Sequence, residues 1–245
     1  MLHACLRTPN GLAALAVALV AAGCGTGAVP TGPTGTTVDP TTVPTAAVTV
    51  QPPASSSSTG PGGSPMQLRV SLNGDLPDGW DVSAEGTLLS FATTGSDPEM
   101  TIEMLENREV MAEDCGLGPE PGVATAASAV VDAISGRRGL VPSGRSPVTV
   151  GGLAGEQVDL RVDPDVGVTC PGEDGGFVPL VGAMESYGWG FSGVGPDERI
   201  RFVALDVEAD QNLIVLILAP NAASYDRTIH AAGSIVGDLE FAYEP

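Results

Sequence analysis

Carboxylates at alternating positions are the side chains of this sequence most able to do chemistry. Asp206, Glu208 and Asp210 lie two apart near the end of a predicted strand, so they share one face and present oxygen ligands of the kind that Ca²⁺ prefers. The same positions mark the end of a predicted hairpin, where acidic side chains are commonly solvated, and we favour that interpretation. The three residues are weak candidate metal ligands, and nothing in the sequence requires a cofactor.

A search of the sequence for known catalytic motifs identifies no reaction. The serine-hydrolase motif GxSxG, the metalloprotease motif HExxH and the phosphate-binding motif GxxxxGK[ST] do not occur. His230 would be the single histidine left after removal of an N-terminal signal, and it falls on a predicted helix. The sequence therefore favours a binding protein over an enzyme.

Two aromatic residues set among glycines, Trp189 and Phe191, are weak candidates for a ligand-binding surface. Aromatic side chains frequently anchor contacts between proteins. Packing of both rings in the core is the competing interpretation, and we slightly favour it.

Cys24 directly follows a short apolar run, residues 12–22, which is preceded by a single charged residue, Arg7. A bilayer-spanning helix needs about 20 apolar residues, so the run predicts a cleaved export signal. The residues Val20-Ala21-Ala22-Gly23-Cys24 resemble the lipobox of bacterial lipoproteins, although Ala21 stands where those proteins usually have Leu or Val. The resemblance implies lipidation of Cys24 after removal of residues 1–23, and hence an exported chain anchored to the outer face of the cell membrane. Ordinary secretory cleavage is the alternative.

The remaining cysteines of the exported part are Cys115 and Cys170, 55 positions apart. An even pair in an exported chain predicts a disulfide. Neither cysteine belongs to a CxxC pair, which argues against redox catalysis.

Charge excludes one class of partner. The chain has no lysine and a formal net charge of −20; once residues 1–23 are removed, nine arginines face 30 acidic residues, a net charge of −21. Such a surface repels polyanions, so we expect no nucleic-acid partner and no direct contact with anionic lipid headgroups. The composition, rich in Ala, Gly, Val, Pro and Asp, resembles that of GC-rich actinobacteria.

Residues 24–66 are rich in Thr, Pro, Ser and Gly and almost free of charge and of large apolar side chains. Such a segment buries too little surface to offset the entropy of ordering, so we predict a disordered tether. Fully extended, the 42 residues after Cys24 would reach about 130 Å. Its composition also permits O-glycosylation.

Residues 67–245 are long enough for a single domain with a substantial core. Alternating apolar residues predict strands, and two helical periodicities predict helices. In the strand at 199–208 the apolar face changes sides, which predicts either a bulge near Ala204 or burial on both faces. We expect an α+β domain, an antiparallel sheet with two main helices packed on it, preceded by a signal peptide and a disordered linker. The predicted strands cover residues 67–72, 87–92, 100–104, 148–150, 156–162, 199–208, 213–219 and 239–241, and the helices cover 123–134 and 222–235.

Several short motifs together resemble a known group. These motifs are Gly79-Trp80, the phrase Pro147-Val148-Thr149-Val150-Gly151-Gly152-Leu153-Ala154-Gly155, the two cysteines and a closing helix with Ser234-Ile235. Their order is similar to that of uncharacterised actinobacterial exported domains with a PsbP/Mog1-like layout. The resemblance implies a fold and no catalytic residue. We therefore expect a non-enzymatic lipoprotein, attached to the membrane through a lipid on Cys24, that binds an unknown protein or cell-wall ligand. A carrier of lipid or another apolar molecule in an internal cavity is the alternative.

Overall fold

The computed structural model describes residues 48–50, 67–85, 88–95, 99–115, 118–172, 175–185, 188–208 and 211–244. All of them belong to one unit, Pro44–Pro245. The predicted signal peptide, Cys24 and Asp210 lie outside the described residues, and so does most of the predicted tether. The two described helices, nine and thirteen residues long, fall short of the length and apolar character that crossing a bilayer requires.

A seven-stranded antiparallel sheet forms the centre of the fold. Its middle strand carries the continuous apolar run of residues 213–218, and all six of these residues are at least largely buried. A hairpin joins that strand to the strand before it in the sequence, as predicted. The order across the sheet is β3 (Trp80–Glu85), β4 (Leu88–Thr93), β5 (Thr101–Glu106), β12 (Gln211–Ala219), β11 (Arg199–Glu208), β8 (Leu153–Val162) and β7 (Leu140–Val150).

Both faces of this sheet are covered. In β11 the side chains of Phe202 and Ala204 belong to one core cluster, while Val203 and Leu205 belong to the other. Burial on both faces, the second of the two predicted explanations, therefore accounts for the pattern in β11. The register shift of this strand falls between Asp206 and Glu208 instead of near Ala204.

One face carries a second, three-stranded sheet and the first helix. The sheet has the order β10 (Gly188–Val194), β9 (Val178–Glu185) and β6 (Glu109–Val110), and α1 spans Ala127–Ser135. Buried residues of α1 and β9 share a core cluster with Leu160 and Phe202 of the main sheet. We call this side the α1 face.

The opposite side, the α2 face, carries another three-stranded sheet and the second helix. The sheet has the order β1 (Val48–Val50), β2 (Gln67–Leu72) and β13 (Leu239–Glu244), and α2 spans Tyr225–Gly237. Val70, Ile235 and Leu239 pack here against main-sheet residues such as Val215.

The predicted α+β class is wrong, because the described residues form thirteen strands and two helices and are mostly β. Strands cover much of each face of the central sheet, and the helices share those faces with them. The strands β9 and β10 lie in a region of weak sequence signals. Both predicted helices exist, but α1 and α2 begin later than predicted, at Ala127 and Tyr225.

A short strand occurs inside the segment that we predicted to be a disordered tether. Val48–Val50 pairs antiparallel with β2, and Val48 lies opposite Leu72. The structure describes these three residues as a strand, and the disorder of the tether stays a prediction. The local sequence VTV consists of β-branched residues, which favour the extended backbone of a strand.

The turn between β7 and β8 shows why glycine is required in this fold. Gly151 and Gly152 have φ angles of 56° and 85°, values suited to a type I′ hairpin turn. A Cβ atom on Gly151 would also lie 2.4 Å from the ring of Phe241. The turn therefore fixes the register of a long hairpin and allows β13 to approach it closely.

Candidate functional site

A cleft of about 180 Å³ opens on the α1 face, between the segment 108–125 and the first helix. We call it the framed cleft, because buried polar contacts and a disulfide hold its walls. Val110, Val123 and Val130 supply apolar lining, and Glu109 and Glu120 supply carboxylates. Its lining residues are Arg108, Glu109, Val110, Pro119, Glu120, Pro121, Gly122, Val123, Ala124, Thr125 and Val130.

Asn212 holds two parts of the wall together from the central strand β12. Its side chain is 1% exposed. The Oδ1 atom accepts a hydrogen bond of 2.9 Å from the backbone N–H of Arg108. The Nδ2 group donates to the carbonyls of Arg108 and Thr125, at 2.9 and 3.1 Å. One buried amide therefore fixes both ends of the segment that lines the cleft.

Arg137 is a second buried side chain that holds the segment 108–125 in place. The side chain lies just after α1 and is 4% exposed. Its two terminal nitrogens donate hydrogen bonds to the carbonyl oxygens of Pro179 in β9 and of Met111, which follows β6. Burial lowers the pKa of this guanidinium from its usual value, while the charges of Glu113 and Glu120 act in the opposite direction.

The predicted disulfide between Cys115 and Cys170 is present, with the two Cα atoms 5.5 Å apart. It links the loop after β6 to the segment that leads into β9. The loop is closed further by two backbone hydrogen bonds, from Ala112 to Gly118 and from Glu120 to Val110. Together with Asn212 and Arg137, these contacts preorganise the cleft wall.

Glu106 ends strand β5, close to the segment that begins the cleft wall. Burial raises the pKa of its carboxyl group from 4.5 to about 7, and the positive charge of Arg108 opposes the shift. Arg108 is itself 3% exposed, so its charge lies beside Glu106 within the protein. The two residues form a partly buried pair at the start of the segment 108–125.

This pKa shift predicts a pH-dependent stability. Between pH 4.5 and about 7 the unfolded chain ionises Glu106 before the folded chain does, so the residue's contribution to stability falls as pH rises through this window. We expect Glu106→Gln to raise the free energy of unfolding by about 1–2 kcal/mol at pH 8. Urea unfolding at pH 4.5 and pH 8 measures the effect. An equal change at both pH values would contradict the assignment.

Asp206, one of the weak metal candidates, serves a structural contact in the fold. Its Oδ1 atom accepts a hydrogen bond of 2.7 Å from the backbone N–H of Ala127, the first residue of α1. The carboxylate therefore caps the helix from strand β11, while the N-cap residue Ala126 has no capping side chain. The side chain of Glu208 is not among those described. Within the described residues, no three potential metal ligands come together.

We expect Asp206→Ala to lower the free energy of unfolding by about 1 kcal/mol, because a helix N–H loses its acceptor. Asp206→Asn keeps an oxygen acceptor and should retain most of the stability. Thermal unfolding of the two variants measures the difference. Equal losses in both would show that the cap does not stabilise α1.

Trp189 and Phe191 lie in β10, at the edge of the three-stranded sheet on the α1 face. Their side chains are outside the described part of the structure, so their role stays a prediction. The run Gly188-Trp189-Gly190-Phe191-Ser192-Gly193 has the glycine spacing GxGxxG. In dinucleotide-binding folds the GxGxxG motif forms the turn between a strand and the helix that follows it. In this chain the motif lies within a strand. It therefore does not indicate a nucleotide site.

A second hollow, of about 500 Å³, lies on the α2 face beside the turn of Gly151 and Gly152. It is shallow and open, and its lining includes Asn73, Asp238 and Glu240 as well as Leu239 and Phe241. A lipid carrier needs an enclosed apolar cavity. Neither the framed cleft nor this hollow, both formed by described residues, is an enclosed apolar cavity, and the carrier alternative stays a prediction.

Comparisons with known proteins do not assign the chain to a family. No protein-family model matches the sequence, and no curated protein matches it. One solved structure to which the chain is similar is the crystal structure of LpqN, involved in cell envelope biogenesis of Mycobacterium tuberculosis. The identity is 13%, the match covers 80% of this chain and 91% of that one, and the TM-score is 0.40. The PsbP/Mog1-like resemblance stays a prediction.

Sequence reasoning found the disulfide but not the rest of the frame. Arg137 precedes a second arginine in a short loop, and Asn212 is the last residue of the predicted hairpin connection, a common place for an asparagine. Their partners are far away in sequence, up to 104 positions for Asn212. A local sequence pattern cannot predict a hydrogen bond between residues so far apart in the chain.

Proposed function

We propose that this chain is a lipoprotein held at the outer face of the cell membrane through Cys24, and that its folded part binds a partner protein through the framed cleft. The observation that carries the proposal is the preorganised cleft wall. A buried asparagine, a buried arginine and a disulfide all hold one short surface segment, 108–125. Rigid support of this kind lowers the entropy that binding must overcome.

The lining of the cleft indicates the chemistry of its occupant. Its volume of about 180 Å³ suits one extended side chain better than a folded element. The valines would contact an alkyl stem, and the carboxylates of Glu109 and Glu120 would meet a cationic head. The net charge of the whole chain, −20, attracts basic partners over a longer range. The proposed occupant is therefore a lysine or arginine side chain of an extracytoplasmic protein.

Calorimetric titration of the purified chain tests this occupant. The probes are two short Ala/Gly peptides that differ at one position, lysine in one and norleucine in the other. The lysine peptide should bind more tightly, and the double variant Glu109→Gln/Glu120→Gln should weaken its binding by about tenfold. Glu240→Gln, an acid in the other hollow, is the matched control and should have no effect. Equal binding of both peptides would overturn the proposed occupant.

Membrane attachment has its own test. Fatty-acid labelling and cell fractionation compare the wild-type chain with Cys24→Ala. Several acyl chains on one cysteine would retain the protein firmly, since each buried methylene contributes about 0.8 kcal/mol. We expect the label and membrane retention to be lost in the variant. If Cys24→Ala stays in the membrane fraction as the wild-type chain does, the lipid anchor is contradicted. That result would leave the proposed binding at the framed cleft unaffected.

A further inference from the structure

A cluster of arginines lies on the α2 face, where strands β8 and β11 run side by side. Arg161 of β8 is directly opposite Arg199 of β11, and in the next row Asp159 is opposite Arg201. Leu160 and Ile200, at the intervening positions, face the α1 side, so strand alternation places the charged residues on the α2 face. Tyr225, the first residue of α2, completes the cluster. We call these five residues the arginine shelf.

The cluster is unusual for so acidic a chain. It gathers three of the nine arginines that remain beyond residue 23. Two like charges directly opposite each other destabilise an antiparallel pair of strands. Asp159 does not relieve the Arg161–Arg199 pair, because it is engaged by Arg201 through two hydrogen bonds of 2.7 and 3.1 Å.

The other two arginines have weaker contacts. Arg161 donates a long hydrogen bond of 3.4 Å to the carbonyl of Val162. The guanidinium carbon of Arg199 lies 5.8 Å from the centre of the Tyr225 ring, a cation–π distance. Among the described residues, neither arginine forms an ion pair with a carboxylate. Both are only partly buried, so they can reach a ligand from solvent.

Tyr225 adds a buried donor. The residue is 8% exposed, and within the described part of the chain its hydroxyl group makes no hydrogen bond of acceptable geometry. Burial, and then hydrogen bonding to the carboxylate of Asp159 and its negative charge, raise the pKa of this hydroxyl above its usual value, so it keeps its proton. The acceptor within reach of this hydroxyl is the carboxylate of Asp159, which also accepts two hydrogen bonds from Arg201. A phosphate oxygen would give the buried hydroxyl an acceptor of its own.

We propose that the arginine shelf is a binding site for a phosphate group. Arg161 and Arg199 supply the positive charge, the Tyr225 hydroxyl donates a hydrogen bond, and Asp159 positions Arg201 beside them. The high negative charge of the chain repels extended polyanions, so the site suits a single phosphate ester, either free or at a lipid headgroup. The second source would overturn the expectation, drawn from net charge alone, that the chain does not contact anionic headgroups. The site lies on the face opposite the framed cleft and is independent of it.

The test titrates the purified full chain with sn-glycerol 3-phosphate at constant ionic strength and follows binding by calorimetry. We expect saturable binding in the wild-type chain. Arg161→Gln/Arg199→Gln should weaken it by at least about tenfold, and Tyr225→Phe, which keeps the ring, by about threefold or more. Arg138→Gln, an exposed arginine outside the shelf, is the matched control. No saturable binding, or equal affinity in all four proteins, would overturn the proposal.

Thermal unfolding without phosphate gives an independent readout. Because the two opposed arginines repel each other, Arg161→Gln should raise the melting temperature while it removes the stabilisation by phosphate. A lower melting temperature would show that Arg161 supports the fold and would contradict the proposal.

Co-sedimentation of Cys24→Ala with vesicles of phosphatidylglycerol or phosphatidylcholine distinguishes the two sources of the phosphate group. If the chain binds only phosphatidylglycerol vesicles, and this binding requires Arg161 and Arg199, the phosphate belongs to a lipid headgroup. If the chain binds neither kind of vesicle, the phosphate belongs to a free ester.

Discussion

Replacing both Cys115 and Cys170 with serine is expected to lower the free energy of unfolding by about 4 kcal/mol, as the chain-entropy model gives for a loop of this length. Without the cross-link the unfolded chain gains conformations, while the folded chain loses the connection between the cleft wall and the segment before β9. Urea unfolding of the two proteins measures the difference.

The wild-type protein treated with a reducing agent is the control, since it loses the bond without a change of sequence. It should reproduce most of the loss seen in the double variant. A difference below about 1 kcal/mol would show that the disulfide adds little to the stability of the native fold.

Arg137→Met is expected to lower the free energy of unfolding by about 3–5 kcal/mol. Methionine fills a similar length but donates no hydrogen bond, so the carbonyl oxygens of Pro179 and Met111 lose their partners in a buried site. Chemical unfolding measures the change, and titration with the lysine peptide shows whether the cleft loses affinity at the same time.

The neighbouring residue offers a matched control. Arg138 is exposed, so Arg138→Met should change stability by less than about 0.5 kcal/mol. Arg137→Lys should recover part of the loss, because an ammonium group can still donate to one carbonyl. Neutral behaviour of Arg137→Met would mean that the desolvation of this charge offsets its hydrogen bonds.

The central sheet was predictable where the sequence pattern is strong. The apolar run of β12 identified a strand covered on both faces, and the alternation in β8 identified another strand of the same sheet, separated from β12 by β11. The cysteine pair could be predicted equally well, because two cysteines in a chain that is predicted to be exported have few other roles.

The covering layers were not predictable in the same way. β9 and β10 contain several glycines and lack a clear alternation, so their strand structure depends on pairing with each other and on packing over the α1 face. The strand Val48–Val50 depends on pairing with β2, from which sixteen residues separate it. The arginine shelf depends on register: Arg161 and Arg199 are neighbours only because β8 and β11 pair at that point.

Photo-crosslinking on intact cells tests the central claim most directly. A photoreactive side chain replaces exposed Pro121 at the framed cleft, and in a matched protein it replaces exposed Asp226 on α2. We predict a discrete crosslinked protein from position 121, lost with Glu109→Gln/Glu120→Gln and absent from position 226. Crosslinks of equal yield from both positions, or a product from position 121 that is insensitive to the two glutamates, would contradict the claim that the framed cleft binds a partner protein.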